Sequence, residues 1–297
     1  MKELSDFTYG IVGLGLMGGS LAKAIRASVL AVPSASGCIL GYDINAASLD
    51  LAKQQHIVDE AYGVGTVDDM LSLCDFVYVC LYPHATVDFL KEHRGAFKSG
   101  AIVSDISGVK ALLFTNIEEI VRSDVDFIPG HPMAGNEKEG YACSSGEIFK
   151  NHNYIVMPLP QTRPENLELF KQLITLLGFT RIVETDARVH DHKIAFTSQL
   201  CHVIASALVD SAEDTEVTAF GGGSFEDLTR IAMINAPLWT ELFLANREEL
   251  LSHIESFEQS LARLKEDIAT ENADDMRSYL ESVRKKRVAM SRIDSRA

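Results

Sequence analysis

The run Gly130-His131-Pro132-Met133-Ala134-Gly135-Asn136-Glu137-Lys138 sets one imidazole, one carboxylate and one ammonium between glycines and a proline. Imidazole is the side chain best matched to proton transfer near neutral pH, so His131 is the candidate general base. Ser107 and Lys110, in Asp105-Ile106-Ser107-Gly108-Val109-Lys110, follow the end of another expected strand and are placed for the same chemistry. Ser198 and His202 lie four apart, and so share one face of an otherwise apolar helix. A polar pair there needs a ligand or an internal partner. Asp227 and Arg230 lie three apart and can pair. An arginine held in that way suits a bidentate grip on a substrate carboxylate. His190, His192 and His202 do not fall on one face, so no metal site is expected from them.

These groups need a scaffold, and the start of the chain supplies one. Residues 7–12 are apolar and lead into Gly13-Leu14-Gly15-Leu16-Met17-Gly18, followed by an amphipathic stretch at 21–30. The pattern is strand, tight turn, helix. Gly13 allows the turn, Gly15 lets the backbone approach a pyrophosphate, and Gly18 lets the helix pack on the strand. Leu16 and Met17 open the helix, where free N–H groups face phosphates. A second strand at 38–42 ends at Asp43, whose carboxylate can take both ribose hydroxyls and repels a 2′-phosphate. No arginine follows it, so NAD is expected rather than NADP. The competing role for Asp43 is the N-cap of a helix beginning at Ala46.

Further strands are expected at 75–81, 101–104 and 125–128, the last delivering His131, with helices between them. Strands at 154–157 and 181–183 are expected to extend the same sheet. The alternation specifies a Rossmann-type doubly wound parallel sheet over residues 1–185, with ligands beyond the carboxyl ends of its strands. From 186 to 297 strand signals stop and an all-α domain is expected. Leu250, Ile254, Phe257, Leu261, Leu264 and Ile268 step by four and three along one helix face, a seam that suits either core or a dimer contact.

Bulk composition narrows the function classes. With 46% hydrophobic and 23% charged residues the chain is of globular type, and its formal charge of −15 argues against a nucleic-acid partner. The basic run Arg284-Lys285-Lys286-Arg287 reads as a solvated helix end. No apolar run is long enough to span a bilayer, and no leader is seen. Five cysteines without Cys-x-x-Cys spacing suit a reducing cytoplasm.

Together the glycine turn, Gly130 to Lys138, His190-Asp191 with Ser198 to His202, and Asp227-Leu228-Thr229-Arg230-Ile231-Ala232 resemble prephenate and arogenate dehydrogenases of tyrosine biosynthesis. The resemblance implies a Rossmann-type domain followed by a helical domain that makes a homodimer. It implies NAD(P)-dependent oxidative decarboxylation of prephenate or arogenate. By that likeness His131 polarises the ring hydroxyl, and Arg230, fixed by Asp227, holds the ring carboxylate. Ser198, His202 and Asn136 line the side-chain pocket, Glu137 stands at its mouth, and Trp239 belongs to the rim, where the family can place a tryptophan from the partner. Three positions, in two motifs, depart from the family pattern. Gly108 stands where a serine usually assists the histidine, so Ser107 is the substitute candidate. Gln199 and Cys201 replace a histidine and a proline in the substrate pocket. The readings compared are a prephenate dehydrogenase, an arogenate dehydrogenase, a β-hydroxyacid dehydrogenase, which leaves Gly130 to Lys138 unexplained, and an inactive NAD-binding regulator.

Overall fold

The apolar runs around Ile11 and Val77 become the central strands of a parallel sheet. The computed structural model describes residues 2–294. Strands β1 (Thr8–Val12), β2 (Cys38–Tyr42), β3 (Glu60–Tyr62), β4 (Phe76–Val79), β5 (Ile102–Asp105) and β6 (Asp126–Phe127) pair in the order β3-β2-β1-β4-β5-β6. All five pairings are parallel. The helices between them are α1 (Leu16–Ser28), α2 (Ala46–Gln54), α3 (Val67–Leu71), α4 (Pro83–Glu92), α5 (Ala111–Thr115) and α6 (Ile117–Ile120). The order in which the chain adds strands reverses between β1 and β4, and the crevice at that point is the ligand position of such sheets.

Successive strand residues point to opposite faces, so a sheet covered on both sides must be apolar throughout. Tyr9, Ile11, Phe76 and Tyr78 pack on one face with Leu21 and Ile25 of α1 and with Phe170 and Leu173 of α7 (Pro164–Leu176). Val12, Val77, Val79 and Val103 pack on the other with Val87 and Leu90 of α4.

The later strands do not extend this sheet, contrary to the sequence expectation. β7 (Gly130–Pro132), β8 (Asn153–Val156) and β9 (Arg181–Glu184) form a separate three-stranded sheet, with β7 antiparallel to β8 and β8 parallel to β9. Pro129 explains the break. Ile128 still donates to Val103 O, but Pro129 has no N–H to continue the ladder, and its carbonyl instead accepts from Met157. His131 therefore sits on a strand of the second sheet, one turn of chain away from the first.

From α8 (Ala187–Ile194) onward the described residues form helices and turns. A π-helical turn, Ala195–Gln199, joins α8 to α9 (Leu200–Asp210). Then come α10 (Gly223–Thr229), α11 (Ala236–Ala245), α12 (Arg247–Ala269) and α13 (Ala273–Asp294). The α12 seam is only partly covered by its own chain. Leu250 is buried, whereas Leu261 and Ile268 are 54% and 64% exposed.

Candidate active site

The glycine turn has the geometry its sequence demands. Gly13 has φ of 88°, a left-handed conformation that favours glycine. A Cβ at Gly18 would stand 1.9 Å from Gly13 O, so packing excludes any larger residue there. A Cβ at Gly15 would meet nothing within 4 Å, because this residue borders the open cleft. Gly15 also caps α1 without a side chain, so the first-turn N–H groups of Leu16 and Met17 are left for an anion. Asp43 accepts from Leu14 N at 2.6 Å and Asn45 N at 2.7 Å. It braces the turn and retains a free lone pair on each oxygen. The cap of α2 is Asn45, which accepts from Ala47 N, so the competing N-cap role for Asp43 falls away.

His131 is the end of a relay that its local sequence does not show. Its Nδ1 lies 2.9 Å from Nε2 of His190, and His190 Nδ1 lies 2.6 Å from Oδ1 of Asp191. Asp191 in turn accepts from the main-chain N–H groups of Lys110 and Ala111 at the start of α5. The tautomers follow from the acceptor at the far end. The Asp191 carboxylate takes the Nδ1 proton of His190, whose Nε2 then accepts the Nδ1 proton of His131. The lone pair of His131 Nε2 is left for the cleft. Burial first, then His190 and Lys110, hold the His131 pKa well below the ordinary 6.5, so the ring is neutral and can accept. His190 and Asp191 are candidate site residues that the sequence does not single out: it offers His190 only as a metal ligand to be weighed, and the pair only as family motif. The available signal was a His-Asp dipeptide opening the helix that meets the first domain.

A buried ion pair sets the height of His131. Lys110, fully buried, donates to Asp105 Oδ2 at 2.5 Å and to Gly130 O at 2.6 Å. Its role is to hold the chain beside His131, and it does not face the cleft lining. Burial lowers the ammonium pKa against the pull of Asp105. Lys110→Met leaves Asp105 buried without its cation, and is expected to cost about 3–5 kcal/mol of stability. Urea unfolding measures this, and a loss under about 1 kcal/mol would show the pair to be dispensable.

Ser107 does not reach across to His131. Its Oγ is buried without a hydrogen-bond partner, while its N–H donates to Asp105. The position beside His131 Nε2 belongs to Gly108, where a Cβ would lie 3.7 Å from that nitrogen. A side chain attached one residue earlier cannot occupy the same place. Ser107 nevertheless lines the cleft, with its hydroxyl buried beneath that lining.

The cleft itself is about 590 Å³ and runs from the glycine turn past His131 to the helical domain. A larger groove of about 940 Å³ runs along α5, α8 and the start of α12, and shares none of the cleft residues. Ser198, Gln199, His202, Arg230 and Trp239 line the cleft from the helical side, and Asn136 and Glu137 from the other. His202 Nδ1 bonds to Ser198 O at 2.9 Å, and its ring stacks on Trp239 of the same chain with centroids 3.5 Å apart.

Two pairings differ from expectation. Arg230 does not pair with Asp227. Residues 230–232 tighten into a 3-10 turn at the end of α10, and the guanidinium meets Glu137 at 3.1 Å. The i, i+3 rule assumes a continuous α-helix, and the helix ends at Thr229. Gln199 does not offer its amide to the pocket. It is 1% exposed, donates to Leu242 O and accepts from Asn246. Asn246 also donates to Asp191 O, so Gln199 steadies the relay from behind. Tyr82, Glu139 and Asn235, none singled out by sequence, close the mouth. Asn235 Nδ2 donates to the Tyr82 hydroxyl and to Glu139.

Comparison with known proteins assigns both parts of the chain to one family. The nucleotide-binding domain of prephenate dehydrogenase matches residues 21–183, and the dimerization domain of prephenate dehydrogenase matches residues 186–282. The chain is 28% identical over 286 residues to a cyclohexadienyl dehydrogenase of Zymomonas mobilis, covering 94% of each. It is 26% identical to a prephenate dehydrogenase of Bacillus subtilis, over 96% of this chain and 76% of that one. Among solved structures, prephenate dehydrogenase from A. aeolicus in complex with hydroxyphenyl propionate and NAD+ superposes with a TM-score of 0.85 at 33% identity. That match covers 97% of this chain and 100% of the other. With one family domain matched on each side of the cleft, the chain belongs to the prephenate dehydrogenase family.

Proposed function

We propose that this protein is an NAD-dependent prephenate dehydrogenase. It takes hydride from C4 of the cyclohexadienol ring and releases carbon dioxide from C1, giving 4-hydroxyphenylpyruvate. The observation that carries this reading is the Asp191–His190–His131 relay, which presents a neutral Nε2 to the cleft between the glycine turn and Arg230. The residues present fit the cofactor. Gly15 opens onto the cleft, the first turn of α1 is uncapped, and Asp43 keeps lone pairs for ribose hydroxyls. When bound, NAD supplies the hydride acceptor.

The rest is done by the chain. His131 Nε2 accepts the proton of the ring hydroxyl, and its Nδ1–H, held on His190, fixes the ring in the orientation for that transfer. Asp191 stabilises the charge that arrives on the pair. Arg230 exchanges Glu137 for the ring carboxylate, and the cleft walls orient the ring so that loss of carbon dioxide and aromatisation complete the step. Ser107 meets the bound ligands only if its buried hydroxyl turns outward, and it does not reach His131. His202, Ser198, Asn136 and Trp239 surround the side chain of the substrate, and Glu137 controls access to Arg230.

Because the fold depresses the His131 pKa, the neutral form is favoured in the native state. The unfolded chain binds the proton first as pH falls through 6.5, so this group's contribution to stability is present above that value and lost on acidification. Activity persists lower still, falling only as pH passes through the depressed value. Arg230→Gln is expected to raise KM for prephenate at least about tenfold, since hydrogen bonds to charged groups are worth about 1.5–3 kcal/mol. A level KM would make Arg230 structural.

We further take 1–185 and 186–297 as the two functional units, the last three residues lying outside those described. The exposed Leu261 and Ile268 of the α12 seam support a homodimer through the second unit. Five free cysteines suit the cytoplasm, and no helix among the described residues is long and apolar enough to cross a membrane. The deciding measurement is NADH or NADPH formation by the purified protein, with prephenate and arogenate in parallel, each with NAD and NADP. Turnover of prephenate with NAD is expected. Turnover of arogenate alone would overturn the substrate, turnover with NADP alone would overturn the role of Asp43, and silence on both substrates would favour an NAD-binding regulator.

A further inference from the structure

We propose that His192, Glu249 and His253 form a binding site for a first-row divalent metal ion of the zinc type, clamping α8 to α12. The site is separate from the catalytic cleft and does not depend on the substrate reading above. His192 Nδ1 lies 2.6 Å from Glu249 Oε2. His253 stands over His192, with ring centroids 4.8 Å apart and its Nε2 3.1 Å from the His192 carbonyl oxygen. One ligand atom of each residue falls within 4.8 Å of the others. Glu249 and His253 are one turn apart and so share a face of α12, which is turned toward α8.

The donor set selects the ion. Two imidazoles and one carboxylate suit zinc, nickel or copper, whereas calcium and magnesium demand oxygen ligands. Zinc bonds of about 2.0–2.2 Å place neighbouring donors roughly 3.3–3.5 Å apart. The donors lie within 4.8 Å of one another, so side-chain rotation has to close them to that spacing, and the fourth position is left for water. The His192 and Glu249 side chains are 46% and 38% exposed, so an ion enters directly from solvent.

The clamp has a consequence for the relay. His192 follows Asp191 directly, and Asn246, at the start of α12, donates to Asp191 O. Tying α8 to α12 at His192 stiffens the segment that carries His190 and Asp191. The sequence alone hides this site, because Glu249 and His253 are more than fifty residues from His192.

The test uses the full chain, stripped with chelator and titrated with Zn²⁺ by calorimetry and with Co²⁺ by absorption. One equivalent of Zn²⁺ is expected to bind per chain and to raise Tm by several degrees. His253→Ala and Glu249→Gln are each expected to weaken binding at least about a hundredfold, since even outer-sphere partners are worth about 10–100-fold. Both should abolish the Tm rise while leaving metal-free turnover unchanged. Glu249→Gln keeps the size of the side chain and serves if His253→Ala fails to fold. Unaltered stoichiometry and affinity in these variants would overturn the proposal. So would thiolate charge-transfer bands in the Co²⁺ complex, which would assign binding to the exposed Cys143 or Cys201, and so would no binding at all.

Discussion

Replacing His131 with asparagine is expected to lower kcat by about 10²–10⁴-fold, the usual worth of a positioned general base. Asparagine is close in size and can still donate to His190 Nε2, so the relay geometry is kept while the proton acceptor is removed. Substrate KM should move little, because on the proposed reading the ring carboxylate goes to Arg230, another residue of the cleft lining. Affinity for NAD should also persist, since the glycine turn and Asp43 lie on other strands. Steady-state kinetics and direct NAD titration separate these effects. A kcat within tenfold of the native value would remove His131 from the chemistry, and a parallel loss of NAD affinity would point to a collapsed site.

Asp191→Asn is expected to lower kcat by a similar factor, about 10²–10⁴, although this side chain touches no ligand. The physical reason is the direction of two hydrogen bonds. An amide can keep its oxygen on the N–H groups of Lys110 and Ala111. It then turns its NH₂ toward His190 Nδ1, which must become the acceptor. The His190 proton moves to Nε2, His131 Nδ1 must accept, and the His131 proton is forced onto Nε2, the atom that has to be vacant. The relay stays packed with its polarity reversed. The expected signature is a large fall in kcat with an almost unchanged KM and a small change in Tm. Imidazole ¹⁵N shifts report the tautomer directly, and a native pattern in the variant would contradict this account. If kcat and Tm fell together, Asp191 would be acting through folding alone.

Some of the site is written in local sequence. Gly13, Gly15 and Gly18 are legible because each requirement, a left-handed φ, an open approach and a close helix contact, arises within one strand-turn-helix unit. Asp43 was also legible as the end of β2. Its bond to Leu14 N came only with the fold, because two parallel strands must first pair to bring the residues together. The sheet is of the Rossmann type that the alternation of strands and helices implies, but its edge strand β3 (Glu60–Tyr62) was not among the strands expected, since its three residues are exposed or half-buried and carry no apolar run. The second sheet was missed because 154–157 and 181–183 carry the same apolar signature as the first. Nothing in periodicity says which edge a strand will join, and Pro129 acts by removing one N–H from one ladder.

The sequence by itself determined the strand–glycine turn–helix unit, the carboxylate of Asp43 at the end of β2, the histidine at 131 and the change from strands to helices near 186. These depend on residue type and on spacings within a single element. Only the tertiary structure decided that His131 rests on His190 and Asp191, that Arg230 meets Glu137 instead of Asp227, and that Gln199 braces the relay instead of reading the substrate. Those partners are 59, 93 and 47 residues apart. Helical periodicity extends reliably over one or two turns, whereas contacts between elements are set by how packed surfaces meet. The break of α10 at Thr229 and the π turn before Leu200 shifted the directions of Arg230 and Gln199, and no spacing rule written for a regular helix carries across such a break.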